Sequence, residues 1–583
     1  MSQGINHAYF TRRMFRRAVL PSPLAAIGLA LAEMGSTILV GHAVGIDGLA
    51  AVGFASPLFL LAAFFMFGLA MGGAIVYSNL MHEGKKEDAL GVFRFFLRLS
   101  AAVGFGITAA GLLFNEELLS LLGTGPEDGV VYEMAKDYIF YILLGIPFEI
   151  LMEVFTAYLR NDDADAFSVA VQAASGVGNL VVSALLLLVF DWGLAGCGFG
   201  FFIANFLAVL VSLVYILFIS KGELSLRGKA ASFREAVKPL RLGFSTSAEY
   251  IFDAVFTLAA IHLIMGMVGT EGVAIFNIIE NLSLLFIFLY EMIGKTSQPL
   301  FSTFFAECNF DEMHRVFRYA LAYSLFWGVL VTVLVVLYPQ ILTLLFGMED
   351  IKDVSKVYYA AQIFCLGTIF MGIALLLQNY FQSEEDESGA FLVVFLRRLG
   401  ISLPLAFVLA QFGFYAFWLV YPLAELLTLV VLYFYKKNKK DQRGVAKERV
   451  YAASFLGNVE DMTEKLDEME SFAITWKAEK RQVNDLRLAV EEICGLIRER
   501  ASREGDAQTL TQITVIAKEN GHFQLHMRDD GKEMNPFQLT PKQPRTSLEE
   551  PDTVALGLHV VKSHAQQFLY RNYHGFNTMT VTI

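Results

Sequence analysis

Charge is what this sequence has little of. Asp, Glu, Lys and Arg make up 17% of its 583 residues, where a soluble globular chain carries roughly 25%. The deficit is confined to residues 20–436, a series of long apolar runs; beyond Tyr435-Lys436-Lys437 the composition becomes ordinary. Cysteine is also scarce. Cys197, Cys308, Cys365 and Cys494 lie far apart without paired spacing, so no disulfide framework or zinc site follows from them. No GxxxxGK[ST] loop occurs, which argues against a primary ATP-driven pump. The net charge of -12 argues against a nucleic-acid partner. The first apolar stretch follows Arg12, Arg13, Arg16 and Arg17 but lacks a small-residue cleavage pattern. It reads as a first span, not a signal peptide.

A spanning helix needs about 20 mostly apolar residues. Twelve runs qualify, near 22–44, 50–80, 91–113, 138–160, 166–190, 195–220, 240–268, 273–303, 315–345, 356–382, 388–411 and 415–436. One set of connecting loops holds Arg12 to Arg17, Lys85-Lys86, Arg160, the basic 221–241 stretch, Arg315 with Arg318, and Lys436 to Lys440. The alternate loops are acidic. The positive set is expected on the cytoplasmic side, with both termini inside a multi-pass protein of the cytoplasmic membrane. The loop at Glu384, Glu385, Asp386 and Glu387 is acidic where basic residues are expected. The expected organisation is an N-terminal segment (1–21), a six-helix lobe (22–220), an inter-lobe loop (221–239), a second six-helix lobe (240–436), a basic connector (437–449) and a soluble domain (450–583).

The two lobes repeat. At a constant offset of 224, Ala43-Val44-Gly45-Ile46-Asp47-Gly48 aligns with Met267-Val268-Gly269-Thr270-Glu271-Gly272, and Val92-Phe93-Arg94 with Val316-Phe317-Arg318. Parallel six-helix halves of this kind commonly enclose a central site and rock around it. Ser36-Thr37-Ile38-Leu39-Val40-Gly41 followed by Gly48-Leu49-Ala50-Ala51-Val52-Gly53-Phe54-Ala55-Ser56-Pro57 resembles the first-helix signature of the multidrug and toxic compound extrusion (MATE) family. Ser297-Gln298-Pro299-Leu300, Tyr158-Leu159-Arg160-Asn161, and Asn179 with Gly193-Leu194-Ala195-Gly196 resemble later segments of the same family. The resemblance covers about residues 15–437. It implies antiport coupled to protons or sodium that expels small organic, often cationic, compounds. The chain departs from that pattern where the family's first-helix acid is Ser36 and its fifth-helix acid, four residues after Asn179, is Ser183. Glu33, one turn from Ser36 on the same face, is the candidate replacement.

Carboxylates inside spans mark a pathway by default, because charge in the bilayer is costly. The second lobe is rich in them. Glu249 and Asp253 are spaced i, i+4; Asn277, Glu280 and Asn281 share a face of the eighth span, with Glu291 further along. Glu249, Asp253 and Glu280 are the expected cation ligands, with the Asn side chains as neutral donors. Oxygen ligands suit sodium or a proton. Met66, Met71, Met265, Met267 and Met292 are candidates for an adaptable drug cavity.

The soluble domain reads as α+β. A helical pattern covers Val483 to Arg500, and Gln512 to Lys518 and His522 to Arg528 alternate as strands across the turn Glu519-Asn520-Gly521. A helix is expected from Leu556 to Phe568, then strands at Tyr570–Tyr573 and Thr578–Ile583. Leu488-Ala489-Val490-Glu491-Glu492, Arg528-Asp529-Asp530-Gly531 and Leu556-Gly557-Leu558-His559-Val560-Val561 resemble the boxes of the GHKL ATPase fold, in its anti-sigma-factor kinase-like branch. The resemblance implies an ATP site with Asp529 on adenine, Gly531 and Gly557 at the backbone approach, and Glu492 as general base. It also implies a magnesium-binding Asn where this chain has Leu496, and a glycine where it has Ala555. The domain therefore reads as degenerate, a weak nucleotide binder or a docking module for a regulatory protein or the transporter itself.

The expected fold class is an all-α polytopic membrane protein of twelve transmembrane helices in two pseudo-symmetric halves, followed by a soluble GHKL-like α+β sandwich. The expected function is a cation-coupled secondary exporter of small organic cations, not an enzyme. The rival readings are a receptor signalling through the kinase-like domain and a lipid-linked precursor flippase.

Overall fold

The computed structural model describes residues 7–82, 85–162, 164–220, 222–347, 354–439, 447–456, 459–504, 510–531, 533, 535, 560–573 and 576–583. Among them, twelve helical segments are long and apolar enough to cross a membrane. With no water in the hydrocarbon, every backbone polar group there has to bond within its own segment, which forces these runs into helices.

A basic amphipathic helix, α1 (His7–Val19), precedes the first lobe. That lobe comprises α2 (Ser22–Val44), α3 (Ile46–His82), α4 (Lys86–Leu113), the short α5 (Asn115–Leu122), α6 (Val130–Arg160), α7 (Asp165–Leu188) and α8 (Gly193–Val214). The second lobe holds α9 (Phe233–Val268), α10 (Thr270–Ala306), α11 (Phe310–Leu337), the short α12 (Gln340–Phe346), α13 (Val354–Ser383), α14 (Glu387–Phe395), α15 (Ser402–Ala410), α16 (Phe414–Phe417) and α17 (Val420–Asn438). The run expected as one span over 315–345 breaks at Tyr338-Pro339, because Pro339 cannot donate the next helical hydrogen bond. The lobes meet where α3 packs along α9 and where α10 packs against α2 and α3. Gly68 and Gly72 of α3 face Gly243 and the Pro239 carbonyl of α9 so closely that a side chain at Gly72 or Gly243 would collide with backbone.

Equivalent acids fasten the chain leaving each lobe. Asp162, after α6, accepts the backbone N–H groups of Glu223 (2.8 Å) and Leu224 (3.2 Å) in the inter-lobe loop. Asp386, 224 residues later, caps α14 through Gly389 N (3.0 Å) and pairs with Lys439 (2.7 Å) at the end of α17. That pairing accounts for an acidic residue in a loop expected to be basic.

The soluble domain is a five-stranded antiparallel sheet of order β1-β2-β3-β5-β4, formed by β1 (Val450–Leu456), β2 (Leu510–Ala517), β3 (Phe523–Asp529), β4 (Gln567–Tyr573) and β5 (Phe576–Thr582). One face packs on α18 (Val459–Thr475) and α19 (Lys480–Glu504) through Leu486, Val490, Ile493, Ile513, Val515, Leu525 and Met527. The helix expected to reach Phe568 ends at His564, and Phe568 lies in β4. β1 and α18 lie in a region for which no element was expected. Every residue of β2 is buried, so the second face of the sheet is covered too.

Its cover is the membrane domain. Met14, Phe15, Ala18 and Val19 of α1 form one cluster with Phe301 and Phe304 of α10, Met313 and Val316 of α11, and Leu510 and Phe576 of the sheet. Arg528 of β3 (2% exposed) forms an ion pair with Glu307 (1% exposed), in the turn between α10 and α11. The same guanidinium bonds Gln512 Oε1 (2.8 Å) and lies 5.1 Å from the Phe304 ring centroid. Arg13 of α1 pairs with Asp530, and Arg17 lies over Phe576 at 5.1 Å. Thr11 Oγ1 donates to Glu312 Oε2 of α11 (2.5 Å).

Candidate functional site

The second lobe gathers charge within its spans. α9 carries Glu249 and Asp253 one turn apart, α10 carries Glu280 and Glu291, and α17 carries Tyr421 and Glu425. Between α14 and α15 the helix widens into a π-turn over Leu396–Gly400, and this segment contacts both α9 and α17. It presents two consecutive arginines. Arg397 (3% exposed) is held by Glu425 through two 2.9 Å hydrogen bonds from Nε and a 2.8 Å contact from Nη2. Arg398 lies with Nε 2.9 Å from Asp253 Oδ1. That contact is not aligned as a hydrogen bond, and among the described residues no donor bonds the buried Asp253 Oδ1. Tyr421 Oη donates to Glu280 Oε1 at 3.1 Å. Glu291 Oε2 accepts from Lys295 Nζ at 2.5 Å.

These groups feel one another. Glu249 interacts electrostatically with Glu291, Asp253, Arg398 and Lys295, and Arg398 with Asp253, Glu280, Glu425 and Glu249. Among the described residues, however, no three carboxylates converge as a metal-holding group. Of the expected ligands, Asp253 contacts Arg398, and Glu249 and Glu280 are within its electrostatic reach. Asn277 and Asn281 are buried and bonded to each other (Asn281 Nδ2 to Asn277 Oδ1, 3.1 Å). Asn277 packs where α10 meets Gly53 of α3.

The first lobe holds a second acidic group. Glu149 on α6 lies within electrostatic range of Glu33 on α2 and of Glu153. Glu153 accepts from Gln172 Nε2 of α7 (2.8 Å) and pairs with Arg160 at 3.4 Å. Glu33 is thus near carboxylates, whereas Ser183 bonds Asn179 Oδ1 within α7 (3.2 Å) and caps the Cys197 carbonyl of α8 (3.4 Å). Ser36 is half-buried on α2.

Tyr250 links the two groups. Its ring stacks on Phe67 of α3, with centroids 5.0 Å apart and planes 15° apart. It is within electrostatic reach of Glu249, Glu291 and Asp253 of the second lobe and of Glu153 of the first. An aromatic face with carboxylates nearby is suited to an organic cation, which gains both charge pairing and attraction to the ring quadrupole. Of the methionines, Met66, Met265 and Met267 pack on the main core, while Met71 is exposed.

Sequence reasoning alone does not select Arg397, Arg398, Tyr421, Glu425, Glu149, Glu153 or Tyr250. Glu149 and Glu153 carry a usable signal, the same i, i+4 acid spacing in an apolar run as Glu249 and Asp253.

In the soluble domain, Asp529 is fully buried at the end of β3, and its Oδ1 accepts from Gly531 N (3.0 Å) and Asn577 Nδ2 (3.0 Å). Asp530 is held by Leu510 N (2.9 Å) and Arg13. Leu496 packs on the domain core, so the expected magnesium position is a packing position. Burial, with Glu491 beside it, holds the Glu492 carboxyl above its ordinary value. Gly557 lies outside the described residues. An apolar side chain in place of an oxygen ligand does not fit a magnesium nucleotide.

Residues 21–185 and 246–408 match the MatE family model in two repeats, and residues 455–583 match the histidine kinase-like ATPase domain. The chain is 22% identical over 435 residues to "Probable multidrug resistance protein YoeA" of Bacillus subtilis, covering 72% of this chain and 91% of that protein. It is 22% identical over 440 residues to "Multidrug resistance protein NorM" of Photobacterium profundum, again covering 72% and 91%. A solved structure described as the inward-facing conformation of a multidrug resistance MATE family transporter of the MOP superfamily superposes with a TM-score of 0.65 at 18% identity, over 70% of this chain and 93% of that one. The two matched repeats span more than half of the residues, and on that ground the chain belongs to the MatE family of membrane transporters, with a histidine kinase-like ATPase domain fused behind the second lobe.

Proposed function

We propose that this protein exports small organic cations across the cytoplasmic membrane in exchange for sodium or protons, and that the soluble domain regulates it from the cytoplasmic side. The observation that carries the reading is Tyr250, stacked on Phe67 between the acids of the two lobes. Relatives named for multidrug resistance support the cargo class. Across the two groups Glu33, Glu149, Glu153, Glu249, Asp253, Glu280, Glu291 and Glu425 outnumber Arg160, Lys295, Arg397 and Arg398, which favours a cationic over an anionic cargo. Arg397 and Arg398 both face carboxylates, which disfavours the basic cavity that a lipid-linked precursor would need.

Regulation in cis is supported by the buried outer face of the sheet and its ion pair with Glu307. A domain held this way acts on the transporter to which it is fused before it acts on a separate partner. The basic α1 and the lysines after α17 favour this face as the cytoplasmic one.

The test uses ethidium uptake by proteoliposomes under an imposed sodium or proton gradient. Asp253→Asn with Glu280→Gln should lower gradient-driven uptake at least tenfold while the protein still inserts and folds. Wild-type rates in the double variant would refute the role given to the second-lobe acids.

A further inference from the structure

We infer that Arg398 is a resident counter-cation of the coupling site, lying against Asp253 when no transported cation is bound and leaving it when one arrives. The inference rests on the coupling reading above and names the residue that sets the site's affinity for cations.

Two adjacent arginines meet two acids in different ways. Arg397 is enclosed and makes two hydrogen bonds plus a third close contact with Glu425. Such a pair is costly to break from one side, because an uncompensated buried charge remains. Arg398 is 24% exposed and Asp253 17% exposed. Their 2.9 Å contact is not aligned as a hydrogen bond, and among the described residues Asp253 Oδ1 has no donor. Arg398 therefore neutralises Asp253 by proximity without satisfying its geometry. A guanidinium cannot lose its proton in a protein, so the positive charge is permanent.

Arg398 also has somewhere to go. Glu249, Glu280 and Glu425 are all within its electrostatic reach. Glu280 is steadied by Tyr421 on the neighbouring helix and keeps a second carboxylate oxygen for another donor. The wider turn over Leu396–Gly400 is a local departure from the α-helix, a kind of distortion frequent at functional sites. It places the two side chains toward different partners, Arg397 to α17 and Arg398 to α9. A cation reaching Asp253 competes with Arg398 for the same oxygen, and the affinity measured for that cation includes the work of displacing the arginine.

The experiment measures binding of 22Na+ and, separately, of ethidium to full-length protein in lipid nanodiscs, comparing wild type with Arg398→Gln. Removing the competitor should tighten binding of at least one probe tenfold or more, and adding Asp253→Asn to Arg398→Gln should abolish that gain. Arg398→Lys keeps the charge on a shorter side chain and should give a smaller tightening in the same direction. It supplies the test if the glutamine variant does not fold. A merely structural arginine predicts unchanged or weaker binding in the variants, and that result with a binding-competent wild type overturns the inference alone. If neither wild type nor the variants bind either probe, the coupling reading itself is overturned, and the inference with it.

Discussion

Glu249 and Asp253 are legible in the sequence because their spacing within an apolar run puts both on one face of a spanning helix. Arg397 and Arg398 fall inside the apolar run 388–411, and nothing in that run says what they face. Their actual position depends on Asp253 and Glu425, which lie about 145 and 28 residues away in sequence, and a linear pattern does not report such pairings. Tyr250 is hidden for a related reason. One aromatic among 52 Phe and 22 Tyr residues carries no periodic signal, and its stacking on Phe67 is a tertiary fact. Its role gives a clean expectation. Cation–π attraction contributes about 0.5–2 kcal/mol, so Tyr250→Leu should weaken ethidium binding by roughly 2- to 30-fold. Tyr250→Phe keeps the ring and should stay close to wild type in the same fluorescence titration. Equal loss in both variants would place the contribution in the hydroxyl instead.

Helices are easier to foresee than their breaks. Long apolar runs must become helices in a bilayer, whereas the interruption at Pro339 and the π-turn at Leu396–Gly400 depend on local backbone geometry and neighbours. In the soluble domain the alternation in β2 and β3 reports the face packed on α18 and α19, with Ile513, Val515, Leu525 and Met527 inward. The other face, with Gln512, Thr514, His526 and Arg528, reads as solvent-facing by composition and is buried instead. Polar side chains there suit a contact that forms and releases, since inter-domain surfaces within a chain are commonly more polar than obligate ones. Removing one partner of a buried ion pair costs about 3–5 kcal/mol. Glu307→Arg should therefore release the soluble domain, seen as lower energy transfer between fluorophores on the domain and the second lobe. The combined Glu307→Arg and Arg528→Glu variant should restore it. Failure of the double exchange to recover docking would remove this pair from the interface account.

The same face predicts a pH response. Burial holds the His526 imidazole below its ordinary pKa, with Arg528 and Lys518 acting in the same direction and Glu307 opposing. A base depressed in the docked state contributes its full stabilisation above the ordinary histidine value of about 6.5. Below that pH the released face takes up a proton that the docked face resists, and docking weakens as pH falls toward the depressed value. Energy transfer should drop as the pH is lowered through and below that ordinary value, and His526→Gln should flatten the drop.

At the scale of the whole molecule, α1 joins the first lobe to the second lobe and to the soluble domain. α1 leads directly into α2 of the first lobe, yet its apolar face lies against α10 and α11 of the second and its arginines reach the sheet. Rocking of the lobes about a central site therefore works against this contact. Release of the soluble domain should change transport rate without altering which ion drives it. The repeat is readable from loop residues at a constant offset, and the two MatE matches follow it. The departure from the ATPase resemblance is readable at Leu496, which packs against the domain core where that resemblance implies an oxygen ligand. What the sequence does not carry is the surface used for docking on the transporter, because a polar sheet face gives no hydrophobic signal of its partner.

The most direct measurement of the central claim places equal ethidium inside and outside proteoliposomes and imposes only an ion gradient. The account predicts that a sodium or proton gradient drives net dye accumulation against its own concentration on the ion-rich side, and that reversing the gradient reverses the flow. Dye that stays evenly distributed under both gradients, in a preparation that still exchanges labelled for unlabelled dye, would contradict it.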